Sequence, residues 1–220
     1  AGKVRVISNW VDTEGIKPVH QNIRLRSEYK LSQYFVVSFA GTMGFAQGLE
    51  TVVDCAEILQ SYPEILFWLV GDGPLKSEIE IRVQQKGLTN VQFLPMQPRE
   101  KYPDVLVASD VCLVTLAKQV STPVVPAKLL SIMSSGRPVI ASVPLDGDTA
   151  QIVRDSGSGI CVEAGDERQL AEAILKLYHT PELAQFMGRS GREYAIAHFS
   201  RQVCTKQYES LLLEAAGAQG

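Results

Sequence analysis

The sequence predicts an α/β domain built on a doubly wound parallel sheet, and three observations carry that prediction. Short continuous apolar runs at Phe35 to Ala40, Ile65 to Val70 and Val111 to Thr115 lack the polar alternation of a half-exposed strand, as expected of strands buried on both faces. Between them, apolar residues recur at helical spacing, as at Leu49, Val52, Val53, Ala56 and Leu59, which gives each helix one stripe to lay on the sheet. Glycine-bearing turns, Gly41 with Gly44 and Gly71 with Gly73, follow the first two of these runs. Such turns fall at the carboxyl edge of the sheet, where doubly wound folds bind their ligands.

Taken in order, the chain opens with a short predicted strand, Val4 to Ile7, followed by Ser8-Asn9-Trp10-Val11-Asp12. An irregular polar stretch to Ser32 has room for one short helix. After the strand at 35 to 40 and the helix from Leu49, Pro63 closes the helix and Ile65 to Val70 forms the next strand. Leu75, Ile79 and Val83 mark a helix with Gly87 at its C-terminal cap. Val91 to Leu94 is a strand, Pro98 to Ala108 a helix, and Val111 to Thr115 a strand. Pro126 starts a helix through Met133, with proline at its first turn. Val139 to Ser142 is a strand, Asp146 to Thr149 opens a short helix, and Gly157 to Val162 is the last strand. Asp166 with Gln169 has the spacing of a capping box. Thr180 caps a helix from Pro181, and Ser200 caps a final helix ending near Leu213. Gly188 and Gly191 inside the penultimate helix mark close packing or a kink.

Composition narrows the function classes. The 220 residues, 45% of them hydrophobic, suffice for one full core and leave little for a second. A net charge of −3 with no long basic run argues against nucleic acid as a partner. Cys55, Cys112, Cys161 and Cys204 have no paired spacing; they read as small hydrophobes in a reducing compartment. No targeting segment or membrane span is expected, since the longest apolar run is far below the roughly 20 residues a span needs. His20, His179 and His198 lack ligand spacing, and no metal motif is present. The start on a strand without Met suits a piece of a larger protein or a processed product.

The turn after Ala40, Gly41-Thr42-Met43-Gly44-Phe45-Ala46-Gln47-Gly48, reads as a phosphate cradle. Its glycines let a backbone approach a ligand, and the following helix directs free amides toward it. A plain connecting turn is the alternative from the loop alone. Its spacing is not a dinucleotide fingerprint, because no acidic ribose partner follows on a second strand end. Pro126-Ala127-Lys128 places a second helix start and an ammonium at the same sheet edge.

In order and spacing, AGTMGFAQGLETVVDCAEIL, FWLVGDGPLK, NVQFLP, SDVCLV, VPAKLLSIMSSGRPVIAS, SGSGICV and GREYAIAHFS resemble the C-terminal half of a family 4 (group 1) glycosyltransferase. The resemblance is nearest to the bacterial aminosugar transferase subgroup of surface-polysaccharide synthesis. It implies the Rossmann-like donor half of a GT-B fold. Residues 1–32 would be the interdomain hinge and entry segment, 33–200 the nucleotide-sugar-binding domain, and 201–220 a helix crossing toward an N-terminal domain absent from this chain. The implied reaction is transfer of a sugar, with retention, from a nucleotide diphosphate sugar to a polysaccharide or glycolipid acceptor. A UDP-sugar is the expected donor, used as substrate without metal or cofactor, and the expected location is cytoplasmic, at most peripheral to the inner membrane.

Carried over residue by residue, the resemblance assigns Gly41, Thr42, Met43, Gly44 and Gln47, with Ala127, Lys128, Leu129, Leu130 and Ser131, to the donor phosphates and their surroundings. It assigns Gly71, Asp72, Gly73, Phe93, Leu94 and Pro95 to the nucleotide-base region. Each has a structural alternative: a tight turn for Gly73 and Pro74, a core strand end for Phe93 to Pro95, a solvated surface charge for Lys128. Arg137 is a further phosphate candidate, or an exposed charge complementing a helix end. No catalytic residue is assigned.

Two departures matter. The family's pair of glutamates, the second of which bonds the ribose, falls here on Pro123 and Ser131, and a hydroxyl cannot offer a bidentate carboxylate. The Arg and Lys of the family's first loop are absent, with Thr42 and Gln47 in their region. Two other functions stay open: a nucleotide-sugar epimerase of the same fold, and a non-catalytic nucleotide-binding domain.

Overall fold

The computed structural model describes residues 4–18, 23–120 and 125–217, with Ile23 and Arg24 described by backbone alone. Six strands form one parallel sheet: β1 (Phe35–Ala40), β2 (Ile65–Val70), β3 (Val91–Leu94), β4 (Val111–Thr115), β5 (Val139–Ser142) and β6 (Gly159–Val162). Their order across the sheet is β3-β2-β1-β4-β5-β6. The chain winds outward from β1 to β3, then returns to the other side of β1 with β4. This reversal leaves a crevice between the carboxyl ends of β1 and β4, the topological switch point.

The apolar runs form these strands because both faces of the sheet are covered. On one face, Val37 and Phe39 of β1 and Phe67 and Leu69 of β2 pack on α2 (Leu49–Ile58), α3 (Lys76–Gln85) and α7 (Glu167–His179). On the other, Val36 and Trp68 meet α4 (Tyr102–Ala108), while Val114 and Ala141 meet α5 (Ala127–Ser134) and α6 (Asp148–Ser156). Ser38, the one polar residue of β1, is buried and reconciled to the core by the hydroxyl of Ser109 at 2.7 Å. The described helices also include α1 (Ile23–Glu28), α8 (Pro181–Phe199) and α9 (Arg201–Gly217).

Gly188 and Gly191 of α8 are glycines for close packing. A Cβ on Gly188 would stand 2.1 Å from the Gly136 carbonyl oxygen, and one on Gly191 would stand 2.8 Å from Ser158 Cβ. The segment around Val11 to Ile16 is fastened to the same helix. Val11 donates its amide to the Phe199 carbonyl at 2.9 Å. Arg192 donates to the carbonyls of Thr13, Ile16 and Ser134 at 2.8, 3.0 and 2.9 Å.

The sequence reading needs correction in several places. Val4 to Ile7 is no strand: Val4 and Val6 are 85% and 90% exposed, and these residues pair with no strand among the described residues. The last strand begins at Gly159, because Gly157 adopts φ 58° to end α6. The stretch from Pro98 enters as a 3-10 turn at Arg99–Lys101 before α4. Asp166 caps α7, accepting the Gln169 amide at 2.8 Å, but the Gln169 side chain bonds the same carboxylate instead of closing the box on backbone. Thr180 starts α8 without a side-chain cap. The final helix runs four residues beyond Leu213, to Gly217. Tyr208, Leu212 and Leu213 on it are exposed.

Candidate donor-phosphate site at the sheet switch point

The two loops that flank the switch point are the glycine loop after β1 and the loop from β4 to α5. They are tied together directly. Ala117 donates its amide to the Ala46 carbonyl at 2.9 Å, and Gly48, at φ 58°, leaves no room for a Cβ, which would meet Ala117 Cα at 3.0 Å. Lys128, 81 residues from Gln47 in sequence, donates to Gln47 Oε1 at 3.2 Å. Its Nζ lies 3.6 Å from the centroid of the Phe39 ring, and a Cβ on Gly41 would sit 3.1 Å from that nitrogen. The topology thus brings Gly41, Gln47 and Lys128 to one point.

The glycines of the two turns answer to different constraints. Gly71 and Gly73 are required by the protein itself: their Cβ atoms would lie 1.9 Å from Gly41 O and 2.5 Å from Met43 O. The second turn packs on the first, with the Met43 amide donating to Asp72 O at 2.8 Å and the Leu75 amide donating to Met43 O at 3.0 Å. Gly71, Asp72 and Gly73 therefore shape the floor from beneath, which favours the turn role over ligand contact. Gly44 differs. Its φ of −118° is open to any residue, and the nearest atom to an added Cβ is Thr42 Cγ2 at 3.9 Å. Nothing in the described protein requires a glycine there.

The backbone donors at this edge are divided in the same way. Gly41 and Met43 spend their amides on Val70 O and Asp72 O, whereas Thr42 and Gly44 donate no hydrogen bond among the described residues. At the start of α5, Pro126 provides no side-chain cap, so among the described residues the amides of Ala127 and Lys128 are orphan donors of a helix N-terminus. Met43 is buried, and with both backbone groups engaged it supports the loop from below. Leu129 and Leu130 turn their side chains into the core.

Lys128 is the one expected charge that the structure brings to this point. Burial pushes its ammonium down from the usual lysine range to about 7, since no anion there offsets the loss of water. Arg137 is at the other end of the molecule, donating to Val107 O at 2.6 Å. It is neither a phosphate partner nor an exposed helix-end charge: it precedes β5 at the amino edge, and burial lowers its pKa. Ser131 lies one turn along α5, where its hydroxyl donates to Ala127 O at 3.4 Å, with Tyr102 beside it on the same groove. Together they border a groove of about 590 Å³ lined also by Trp10, Asp12, Arg99 and Glu100. Phe93 and Leu94 end β3, two strands from β1. Leu94 O accepts the Gly71 amide at 2.9 Å and Pro95 O accepts from the Gln97 side chain at 2.9 Å. Pro123 and His20 lie outside the described residues.

Sequence reasoning missed Phe39, Tyr102 and Phe45. Phe39 reads as plain strand core, and only the pairing of distant loops shows that its ring lies beneath an ammonium. Phe45 is 75% exposed on the 3-10 turn Phe45–Gln47, and an exposed aromatic beside a glycine loop was a visible signal. His179 and His198 rest against Tyr178 and Tyr194. Among the described residues, no group of three or more His, Cys, Asp or Glu is placed to hold a metal ion. No described helix is long and apolar enough to cross a membrane.

Known proteins give this geometry a context. The family model described as glycosyl transferases group 1 matches residues 34–180. WcaI of Escherichia coli strain K12, named for colanic acid biosynthesis, is 28% identical over 79% of this chain and 42% of its own length. The O-antigen chain mannosyltransferase C of Escherichia coli is 29% identical over 70% of this chain and 40% of its own. The lipopolysaccharide core biosynthesis glycosyltransferase LpsE of Rhizobium meliloti is 26% identical over 96% and 58%. The chain thus spans about half the length of these relatives. Among solved structures, Anabaena Alr3699/HepE in complex with UDP and glucose superposes with a TM-score of 0.83 at 21% identity, covering 94% of this chain and 56% of that one. The fold is that of one Rossmann-like half of a GT-B glycosyltransferase. With the model matching all six strands of the sheet and the helices that flank its switch point, the chain belongs to the group 1 glycosyl transferases.

Proposed function

We propose that this chain is the donor-binding half of a retaining glycosyltransferase, and that the nucleoside diphosphate of a sugar donor sits in the β1/β4 crevice. The observation that carries this reading is the convergence there of a part-buried lysine ammonium, the uncapped start of α5 and a glycine, Gly44, that the fold itself does not require. The free amides of Thr42, Gly44, Ala127 and Lys128 would receive phosphate oxygens, with Nζ of Lys128 adding a full charge. Such donors, fixed before the reaction, stabilise charge as it develops on a departing diphosphate. The nucleoside would extend toward the groove at Ser131 and Tyr102.

UDP is the nucleotide we expect, in keeping with the UDP bound to a structural neighbour. A surface saccharide or glycolipid acceptor is in keeping with the relatives' names, and its site would be supplied by a further domain. A cytoplasmic setting belongs to the same proposal and is supported by four free cysteines.

Calorimetric titration of the chain with UDP, GDP and ADP tests this reading. UDP should bind most tightly, and a flat titration at millimolar nucleotide would sink the donor site. Lys128→Ala should weaken UDP by about 1.5 to 3 kcal/mol, the range for a hydrogen bond to a charged group. An unchanged affinity would remove Lys128 from the site. A second reading, a nucleotide-binding domain without transfer activity, is favoured by Ser131, whose hydroxyl donates to its own helix at Ala127 O where the family's ribose carboxylate is expected. Binding of UDP without hydrolysis or transfer from UDP-sugars by the protein joined to its partner domain would support it.

A further inference from the structure

At the amino edge of the sheet, opposite the donor-phosphate site, the starts of β1, β4 and β5 face α8 across an open cavity of about 780 Å³. That volume lies within the usual range of small-molecule sites. Arg137 stands on one wall, half-buried, and among the described residues its guanidinium donates to a single acceptor, the Val107 carbonyl at 2.6 Å. A guanidinium carries five N–H donors, so most of its capacity is unused. Arg192 of α8 shows what a structural arginine looks like here, since it donates to three carbonyls of its own chain. The facing wall of the cavity is the stripe of α8 through Pro181, Gln185 and Arg189. Among the described residues Arg189 has no hydrogen bond or ion pair. Asp110 is the one carboxylate among the described lining residues. It is engaged by Arg26 at 3.0 Å and by the Val36 amide at 2.7 Å, and Arg26 in turn repels Arg137. The end of α5 also borders the cavity but closes on itself: Gly136 donates its amide to Met133 O at 3.0 Å and Ser135 its hydroxyl to Ile132 O at 2.7 Å. Beside these groups Phe35 and Tyr178 form an edge-to-face pair with ring centroids 5.4 Å apart.

We propose that this cavity binds a small organic anion, an aromatic ring carrying one carboxylate or phosphate group, at a second ligand site separate from the donor crevice. Arg137 takes the oxyanion in its planar fork, and Arg189 adds charge from the mouth. The ring lies against Phe35 and Tyr178, whose faces and edges suit another aromatic group. Without such an anion, the cations around Asp110 outnumber the carboxylate that answers them. The six residues of β1 put roughly 20 Å between this cavity and the crevice at the other end of the strand. A ligand here is therefore too far away to react with a sugar donor, and its role is that of an effector and not of a substrate. None of the residues involved belongs to the donor site, so the proposal stands or falls independently of that reading.

The test is an NMR titration of the isotope-labelled chain with phenyl phosphate and benzoate, using benzyl alcohol as the neutral ring and inorganic phosphate as the anion without a ring. One or both ring anions should shift the amide signals of Phe35, Gly136, Arg137 and Gln185 at about millimolar concentration, and the tighter of the two identifies the anionic group. Arg137→Lys should weaken that binding about tenfold or more, the scale of one charge-assisted hydrogen bond, and Arg189→Glu about fivefold. If Arg137→Lys fails to fold, Arg189→Glu on the exposed face of α8 and the two control probes still decide. A response to benzyl alcohol equal to that of the ring anions, or ring-anion binding that neither variant weakens, overturns the anion site. An equal response to inorganic phosphate overturns the aromatic ligand. Shifts confined to residues 41–48, or none at the cavity up to about 10 mM, overturn the second site while the donor reading keeps its own test.

Discussion

The two ends of the β1/β4 strand pair each hold a part-buried or buried cation, and they treat it in opposite ways. At the amino end, Arg26 donates to the carbonyls of Ala108, Leu31 and Tyr34 at 2.8, 3.2 and 2.5 Å and pairs with Asp110 at 3.0 Å. Asp110 also accepts the Val36 amide at 2.7 Å, which fixes the start of β1 against the start of β4. Both terminal nitrogens of that guanidinium are used. At the carboxyl end, Lys128 meets one neutral amide and an aromatic ring. The difference teaches where to look for function: a cation whose valence is satisfied by its own chain is structural, and one held with little inside the protein to answer it is arranged for something that comes from outside.

The largest effect that tests this contrast is on stability at the amino end. Arg26→Met should cost about 3 to 5 kcal/mol in urea unfolding, because it leaves Asp110 and the surrounding carbonyls without their donor. Nucleotide affinity of the folded protein should not change. A loss of affinity without a loss of stability would reverse the assignment of the two ends.

Gly44→Ala probes the carboxyl end with the opposite signature. At φ −118°, with nothing nearer than 3.9 Å to the new methyl, the substitution should raise stability by about 0.4 to 1 kcal/mol through the unfolded chain. It should weaken UDP by about 1 to 3 kcal/mol, the scale on which one methylene counts in a filled site. Gly71→Ala is the control: its Cβ would lie 1.9 Å from Gly41 O, so there the fold itself gives way. Equal UDP affinity for Gly44→Ala and the parent, measured by calorimetry, would remove the ligand from the space above Gly44.

The same contrast explains what the sequence made legible. Five strands, 35–40, 65–70, 91–94, 111–115 and 139–142, were readable to the residue; in the inner ones burial on both faces leaves a mainly apolar run ended by a turn, while the partly buried edge strand 91–94 was legible from its place in the alternation of strands and helices. Val4 to Ile7 has the same local appearance and is no strand, since strand formation needs a neighbour and no period in the sequence records one. For the site, the glycine loop and Pro126-Ala127-Lys128 were visible as separate motifs. Their meeting follows from the strand order, which places the loops after β1 and β4 side by side. Arg137 was misplaced for a matching reason. It lies nine residues beyond Lys128 in sequence, but α5 intervenes and carries it to the opposite edge of the sheet. Which glycine serves the fold and which the ligand was not readable at all, because Gly44 and Gly71 differ in backbone φ and in what surrounds an absent Cβ, and neither is written in the sequence.

The smallest effect concerns the stability of the free protein against pH. Lys128 has a folded pKa of about 7, below its unfolded value, so between the two the unfolded chain binds more protons than the folded one. Stability must then rise with pH across that window, and the penalty is complete below pH 7. From pH 7 to pH 8 the gain from this residue should be about 1 kcal/mol. Above that range the buried thiols act with the opposite sign. Burial raises Cys112 to about 11 and pushes up Cys55, Cys161 and Cys204, so their contribution is lost as the unfolded thiols ionise near pH 8.5. The comparison is therefore made between pH 7 and pH 8, by urea unfolding of the parent and Lys128→Met. The parent should gain relative to the variant, and saturating UDP should flatten the difference by supplying the missing anion. Parallel curves for parent and variant would mean that the ammonium at the carboxyl end is as well accommodated as Arg26 is at the other.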